Sequence, residues 1–491
     1  MMAYKTSILR LSPLWAALVC LAMGCDEPVA DDGMPPLLVE RIVDTLVFED
    51  PQKDCARCHP NHVDEWEISN HAYAAKDPVF HAMVRVGQAA TEGKLGQFCV
   101  QCHSPSGMAA GQTPVAYDED LGRFVQQLDQ LDDVARQGVS CDVCHSITDV
   151  IEPVNARMVL TPHGVKRGTI ADPVPTPAHA SSYSPLHGTS DVCGSCHAVT
   201  NPKGALVEET FGEWAQSQAA AEGKTCQSCH MPEYLGQAAT EGPQRVVHRH
   251  TFVGVDVSLL PEDEFPGYHE MRRMAATLLR ASASMNVKPL DDNALEVTIT
   301  NQAGHALPSG ATAERQLWLE LIVRDEAGQV VMTSGTLDLL GDLRDPIEGH
   351  SLEPGSDPQL AVFGQLLVNV PGLDGTEGAE RQRMLDAATA ACRPMGKGGL
   401  RPGSDIKPVI FPWEANWQCN SMIPPDGQVQ HRYYLNQLPA GRYSASVRLL
   451  FRTFPPYFLR KLEEIGGLDE AVKGRVPTVT IATQNLDLTI F

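Results

Sequence analysis

Ten cysteines of this 491-residue chain fall into five Cys-x-x-Cys-His motifs, and that repeat constrains the fold more than anything else in the sequence. The motifs are Cys55/Cys58/His59, Cys99/Cys102/His103, Cys141/Cys144/His145, Cys193/Cys196/His197 and Cys226/Cys229/His230. Two thiols separated by two residues can reach both vinyl groups on one porphyrin edge and add across them as thioethers. The next residue then lies beneath the ring, where its imidazole can bind iron. Zinc sites and thioredoxin-like redox pairs also use Cys-x-x-Cys, but neither accounts for a His after every second Cys. Composition alone gives about 0.01 such motifs per chain of this make-up. The expectation is five covalently bound haem c groups, with five proximal histidines on iron. Only about thirty to fifty residues serve each porphyrin, too few to build a separate core around each one. The porphyrins must therefore pack against one another as core, which is also what an electron path requires.

Four cysteines remain: Cys20, Cys25, Cys392 and Cys419. Lys5 and Arg10 precede an apolar run from Leu11 to Met23 that is too short to span a bilayer and is laid out as a secretory signal. It ends in Leu21-Ala22-Met23-Gly24-Cys25, which resembles a lipoprotein cleavage box and implies a lipid on Cys25; a simple cleaved signal is the alternative. The expected location is extracytoplasmic, in the periplasm or on the cell surface and tethered by that lipid. In such an oxidising compartment Cys392 and Cys419 are expected to pair as a disulfide, the alternative being two free thiols. The formal net charge of -23 removes nucleic acid as a partner and suits basic or metal-bearing redox proteins.

Each iron needs a sixth ligand, or an open face if it does catalysis. Twelve further histidines exist, enough for histidine on both sides of every iron. Methionine is the other common axial choice, and Met83, Met108 and Met231 lie near motifs, although methionine is more often packing material. His71 is the first candidate, because Trp66–Ala72 reads as a short helix directly after the first motif. His250 follows the last motif at a spacing suited to folding back, with His248 as its rival. His163, His179 and His187 lie in an extended Pro/Gly-rich stretch, where two of the three are expected to be ligands. His62 and His81 rank lower. His305 sits in Gly304–Gly310, among turn residues expected to expose its ring.

These residues carry a family resemblance. Cys55–Pro60 followed by Trp66, Ser69, His71 and Ala72 resembles the opening of the cytochrome c554 family of multihaem cytochromes. Phe98–Pro105, Gly138–His145 and Cys226–Pro232 are similar to haem segments of that family. The resemblance covers about residues 50–255. It implies a mainly helical, loop-rich cluster of parallel and perpendicular haem pairs with histidine on both faces of each iron. It also implies His71, His179 and His250 as distal ligands. Asn301–Gly310 resembles a Gly-His-x-x-Pro-Ser/Thr-Gly signature in the C-terminal domains of some multihaem cytochromes, which implies His305 as a ligand reaching back from the second half.

After residue 255 the pattern changes. A helical connector (256–290) contains a helix over Tyr268–Arg280. Beyond it, Ala294–Thr300, Leu317–Val323, Gln329–Met332, Tyr443–Phe451 and Thr478–Ile481 read as strands. Asp325–Gly328 and Pro439–Gly441 suit hairpin turns. The whole is read as a signal (1–24), an acidic linker (25–50), a loop-rich, mainly α pentahaem domain (51–255) and a mainly β, sandwich-like domain (291–491). A Gly/Pro-rich insertion (340–425) interrupts that β domain, and a short helix near Phe458–Val472 follows it. The functional expectation is an electron relay in an extracytoplasmic respiratory chain. The alternative is an oxidoreductase of small nitrogen or sulfur compounds at one open-faced haem. Against one version of that enzyme, no motif has Lys in place of its His.

Overall fold

The computed structural model describes residues 47–110, 120, 133–162, 164–347, 350–351, 355–393, 399–401 and 403–491, and the backbone alone of the strands Leu38–Val39, Val115–Asp118 and Arg123–Gln126. The signal, the Cys25 lipid site, most of the acidic linker and His163 lie outside the described residues.

The first half is helical and loop-rich. Pro60–Glu67, Asn70–Tyr73 and Pro78–Ala90 are helices. The third and fifth motifs each form one helical turn, Cys141–His145 and Cys226–His230; in the second Cys99 caps the turn Val100–His103, and in the fourth the helix Asp191–Gly194 ends before Cys196 and His197. One helical turn brings residues three apart to the same face, so both thiols point the same way and the His follows. Trp66–Ala72 is not the single helix expected. The chain breaks at Ile68, and Ser69 caps a new helix by accepting from the Ala72 amide at 3.3 Å. A serine hydroxyl competes for backbone donors, which favours the cap over the helix interior.

The second half is β-rich and built from several sheets. Ala283–Leu290, Ala294–Asn301 and Gln428–Tyr434 form an antiparallel three-stranded sheet in that order. A five-stranded sheet runs Val330–Ser334, Gln316–Asp325, Gly441–Arg452, Val479–Ile490, with Ala361–Phe363 also paired to Gln316–Asp325. Alternate residues Leu317, Leu319, Leu321 and Val323 join Val297, Ile299, Val447, Leu449 and Ile490 in one buried cluster shared by both sheets. Trp318 is buried on the opposite face, against Leu343, Leu360 and Leu450.

Asp325–Gly328 makes the expected hairpin turn, with the Gly328 amide donating to the Asp325 carbonyl at 2.9 Å. Pro439–Gly441 does not. The strands on either side of it belong to different sheets, so this turn carries the chain from one sheet to the other. Within 340–425, Gln365–Asn369, Lys407–Pro408 and Trp417–Asn420 form a small sheet, and Gly378–Ala391 is a helix absent from the sequence reading. Cys392 and Cys419 are disulfide-bonded beside that helix, as expected.

The two halves share packing. The Tyr268–Ser282 helix buries Met271, Ala275 and Leu279 along one stripe. Phe411, Trp413, Phe458 and Leu462 from the β region pack on Tyr73, Val79, Ala82 and Val86. No helix among the described residues is long and apolar enough to cross a membrane.

Candidate haem-binding sites

Each of the five motif histidines has its Nδ1 next to an acceptor. The partners are the carbonyls of Ala238 (His59, 2.6 Å), Ala74 (His103, 3.2 Å), Arg167 (His145, 2.5 Å) and Val253 (His230, 2.7 Å), and the Glu208 carboxylate (His197, 2.9 Å). An imidazole that donates from Nδ1 presents an unprotonated Nε2, the form that ligates iron. Among these donors His197 differs: burial works against its protonation, but the Glu208 carboxylate prevails and holds it up at about 9.

An imidazole nitrogen bonds a transition metal at about 2 Å, so two rings on opposite sides of one ion have centroids roughly 6 Å apart. Four motif histidines face a second ring at that separation. His59 and His179 are 6.2 Å apart, His71 and His197 6.4 Å, His145 and His250 6.4 Å, and His230 and His305 6.4 Å. The Nδ1 atoms of His179, His250 and His305 are also engaged, by the carbonyls of Ala180, His248 and Ala306. His71 has no partner on its buried Nδ1. Burial holds its imidazole neutral, with the pKa lowered to about 3, and does the same at His250. Imidazoles paired in this way are a donor set that fits haem iron.

The remaining candidates differ. His187 lies 6.1 Å from His145, but both of its nitrogens are taken, by Ser184 Oγ and the Cys144 carbonyl, each at 2.9 Å. His62 lies 6.4 Å from His59 but on the next turn of the same helix, so the two cannot reach opposite faces of one porphyrin; it stacks on His250 instead, at 4.6 Å. His81 is committed to the Ala75 carbonyl and His248 to the Met231 carbonyl, both at 2.8 Å. His103 stacks on Phe80 at 4.2 Å, and among the described residues no imidazole faces it at ligand separation. Met83 and Met108 pack in apolar clusters.

Local chemistry explains how the paired histidines are held. The His71 carbonyl accepts from the Val139 amide at 3.0 Å, and Trp66 Nε1 donates to the Val139 carbonyl at 2.8 Å. Gly138 makes this strap possible, because its φ is +71° and a Cβ there would lie 2.3 Å from the His71 carbonyl oxygen. His305 is not exposed as expected; its loop folds inward and is clamped from the haem region. Glu213 Oε2 accepts from the Ala306 amide (3.1 Å) and from Ser309 Oγ (2.6 Å), while the Gly310 amide donates to Thr210 Oγ1 (3.0 Å). Sequence reasoning missed Glu208 and Glu213, since a glutamate carries no spacing signal for a distant partner.

The motifs also touch one another. The sulfurs of Cys55 and Cys141, Cys102 and Cys196, and Cys193 and Cys226 approach one another across motifs. Cys144 lies within electrostatic reach of Cys196, which ties the first pair to the others. The five attachment points thus form one connected cluster.

Cys229 differs from the other motif cysteines in exposure. It is exposed, whereas the other nine motif cysteines are half-buried. The first thiol of its motif, Cys226, lies against Cys193. Ser228, beside Cys229, is also exposed, whereas His230 is half-buried. The spacing to Cys226 on one helical turn is retained, so the pair still suits thioether attachment.

Motif cysteines gathered in one cluster and histidines presented in pairs define a multihaem c-type cytochrome. Residues 54–146 match the family model of cytochrome c554 and c-prime. The fold is shared with a penta-heme cytochrome c552 from Thermochromatium tepidum, at a TM-score of 0.55 and 19% identity, covering 89% of this chain and 98% of that one. No curated protein matches the chain.

Proposed function

We propose that the chain is a pentahaem cytochrome that relays electrons in an extracytoplasmic respiratory chain, tethered through a lipid on Cys25. The observation that carries this reading is the set of four imidazole pairs at 6.2–6.4 Å, in which every Nδ1 except that of His71 is tied to an acceptor. Each haem, when bound, supplies a one-electron Fe(III)/Fe(II) couple. The chain's own residues attach the porphyrin through Cys55/Cys58 and the four equivalent pairs, and fix the imidazoles that set its potential. Histidine on both sides favours low potentials relative to His/Met ligation. His59/His179, His145/His250, His197/His71 and His230/His305 are the assigned ligand pairs, and the contacts between motif cysteines support an unbroken path. The core shared by its two larger sheets supports reading the β region as a sandwich. It supplies His305 and aromatic packing to the haem region.

A second reading rests on His103. With Phe80 stacked on that imidazole and no described histidine opposite, the iron of the second motif is the place for an open face where small nitrogen or sulfur compounds would react. A haemochrome assay should give five haems per chain; fewer would break the relay as stated. A high-spin signal that shifts on adding nitrite or hydroxylamine would select the enzyme, and a spectrum blind to both would leave the relay.

A further inference from the structure

The outward face of one small hairpin is unusual for a surface this acidic. Glu233–Gln237 and Gln244–His248 pair antiparallel, with Leu235 directly opposite Val246. The inward face is anchored: Val247 is buried, and the Arg249 guanidinium lies 3.8 Å from the Tyr234 ring centre. The outward face presents Leu235 at 73% and Val246 at 58% exposure, an apolar cross-strand pair with no cover. Glu233 and His248 flank it on one side, and Gln237 and Gln244 on the other. Glu241 lies in the turn, while Arg245 is neutralised by Asp172 at 2.9 Å. The ribbon thus carries the Glu241 carboxylate and that of Glu233, which lies 3.9 Å from His248 Nε2, around an apolar centre.

Its tip is bonded to the first motif. The Ala238 carbonyl takes the His59 Nδ1 hydrogen bond, and the Thr240 amide donates to the Cys58 carbonyl at 2.7 Å. A protein seated on this ribbon would therefore stand directly behind a haem ligand. An apolar centre with a charged rim is the anatomy of a transient protein interface. At a formal net charge of -23 a second copy of this chain would be repelled, whereas a cationic partner would be steered in.

We infer that the Leu235/Val246 face is the docking surface through which the first-motif haem exchanges electrons with a cationic redox protein bearing an apolar contact patch. The inference rests on the relay reading. In each encounter the reduced chain loses one electron and the partner's ferric haem gains it.

The test uses the full-length holoprotein, reduced with dithionite and freed of excess reductant. It is mixed in a stopped-flow instrument with a ferric, strongly cationic monohaem cytochrome c as probe. The double variant Leu235→Lys/Val246→Lys places two charges at exposed sites, so haem content and spectra should equal wild type, which a spectrum of each sample verifies. The second-order rate at low salt should fall by about tenfold in the variant, with a flatter dependence on ionic strength. Equal rates in both proteins would overturn the docking surface while leaving the relay intact. No electron transfer from the wild type would instead remove the relay. A wild-type dimer in sedimentation that the variant dissociates would assign the face to a second copy and overturn the inference.

Discussion

Replacing Glu213 with Ala perturbs the most specific link between the two halves of the chain. Its carboxylate holds the Ala306 amide at 3.1 Å and the Ser309 hydroxyl at 2.6 Å, and so fixes the loop that brings His305 to 6.4 Å from His230. Removal leaves two donors without their acceptor in a largely enclosed site. Each such loss costs about 1–3 kcal/mol, so the loop should be weakened by about 2–6 kcal/mol. Domains are stable by about 5–15 kcal/mol, so the fold should survive while the loop detaches in a measurable fraction of molecules. Burial raises the Glu213 carboxyl to about 7 against the pull of its two donors, so the clamped loop holds this proton more tightly than a detached one, and ligation in the wild type should loosen as pH rises through about 7. The assay is the high-spin fraction of the oxidised protein by electron paramagnetic resonance. In the variant it should grow by at most one haem in five. Glu213→Gln keeps an acceptor oxygen and should show a smaller effect. Spectra and melting temperature identical to wild type in Glu213→Ala would refute the clamp.

Other consequences are equally direct. Glu208→Gln removes the carboxylate that holds His197 at about 9, weakens that imidazole as a donor and should raise one haem potential by tens of millivolts, where about 59 mV is a tenfold shift for one electron; a superimposable spectroelectrochemical titration would show that Glu208 does not tune the iron. Asp77, raised to about 7 chiefly by burial, with the Asp256 charge adding, binds its proton more tightly folded than unfolded. Its contribution is therefore complete below about pH 4 and is lost as pH rises through 7. Asp77→Asn, which can still cap the Pro78–Ala90 helix, should thus gain in melting temperature over wild type between pH 5 and pH 8; a constant difference would contradict this. Gly138→Ala should clash with the His71 carbonyl and displace that ligand, read as a new high-spin signal, whereas an unchanged spectrum would mean the strap at Val139 does not set His71.

What the sequence made legible follows from the range of the interactions involved. The five motifs are local, so the ten thiols and five proximal histidines could be read directly. Their burial is not local, and the exposure of Cys229 beside nine half-buried counterparts has no signature in the motif itself. The strands over Ala294–Asn301 and Gln316–Asp325 announced themselves by their apolar content, and the Tyr268–Ser282 helix by its stripe. Partner histidines are non-local: His305 meets His230 across 75 positions, and turn residues around it suggested exposure because the Glu213 clamp is invisible in one dimension. His187 and His250 both come to ligand distance of His145, and only the hydrogen bonds on their nitrogens separate them. The switch between sheets at Pro439–Gly441 was hidden for a related reason, since a turn signal does not say which strand its neighbours pair with.

Near-infrared magnetic circular dichroism of the oxidised holoprotein, normalised to haem content, reports the axial ligand pair of each low-spin iron and is the most direct test of the ligand assignment. It should give four bis-histidine irons among five haems, the fifth differing because His103 faces no described imidazole. A count of three or fewer bis-histidine irons would contradict the pairing of His59 with His179, His145 with His250, His197 with His71 and His230 with His305.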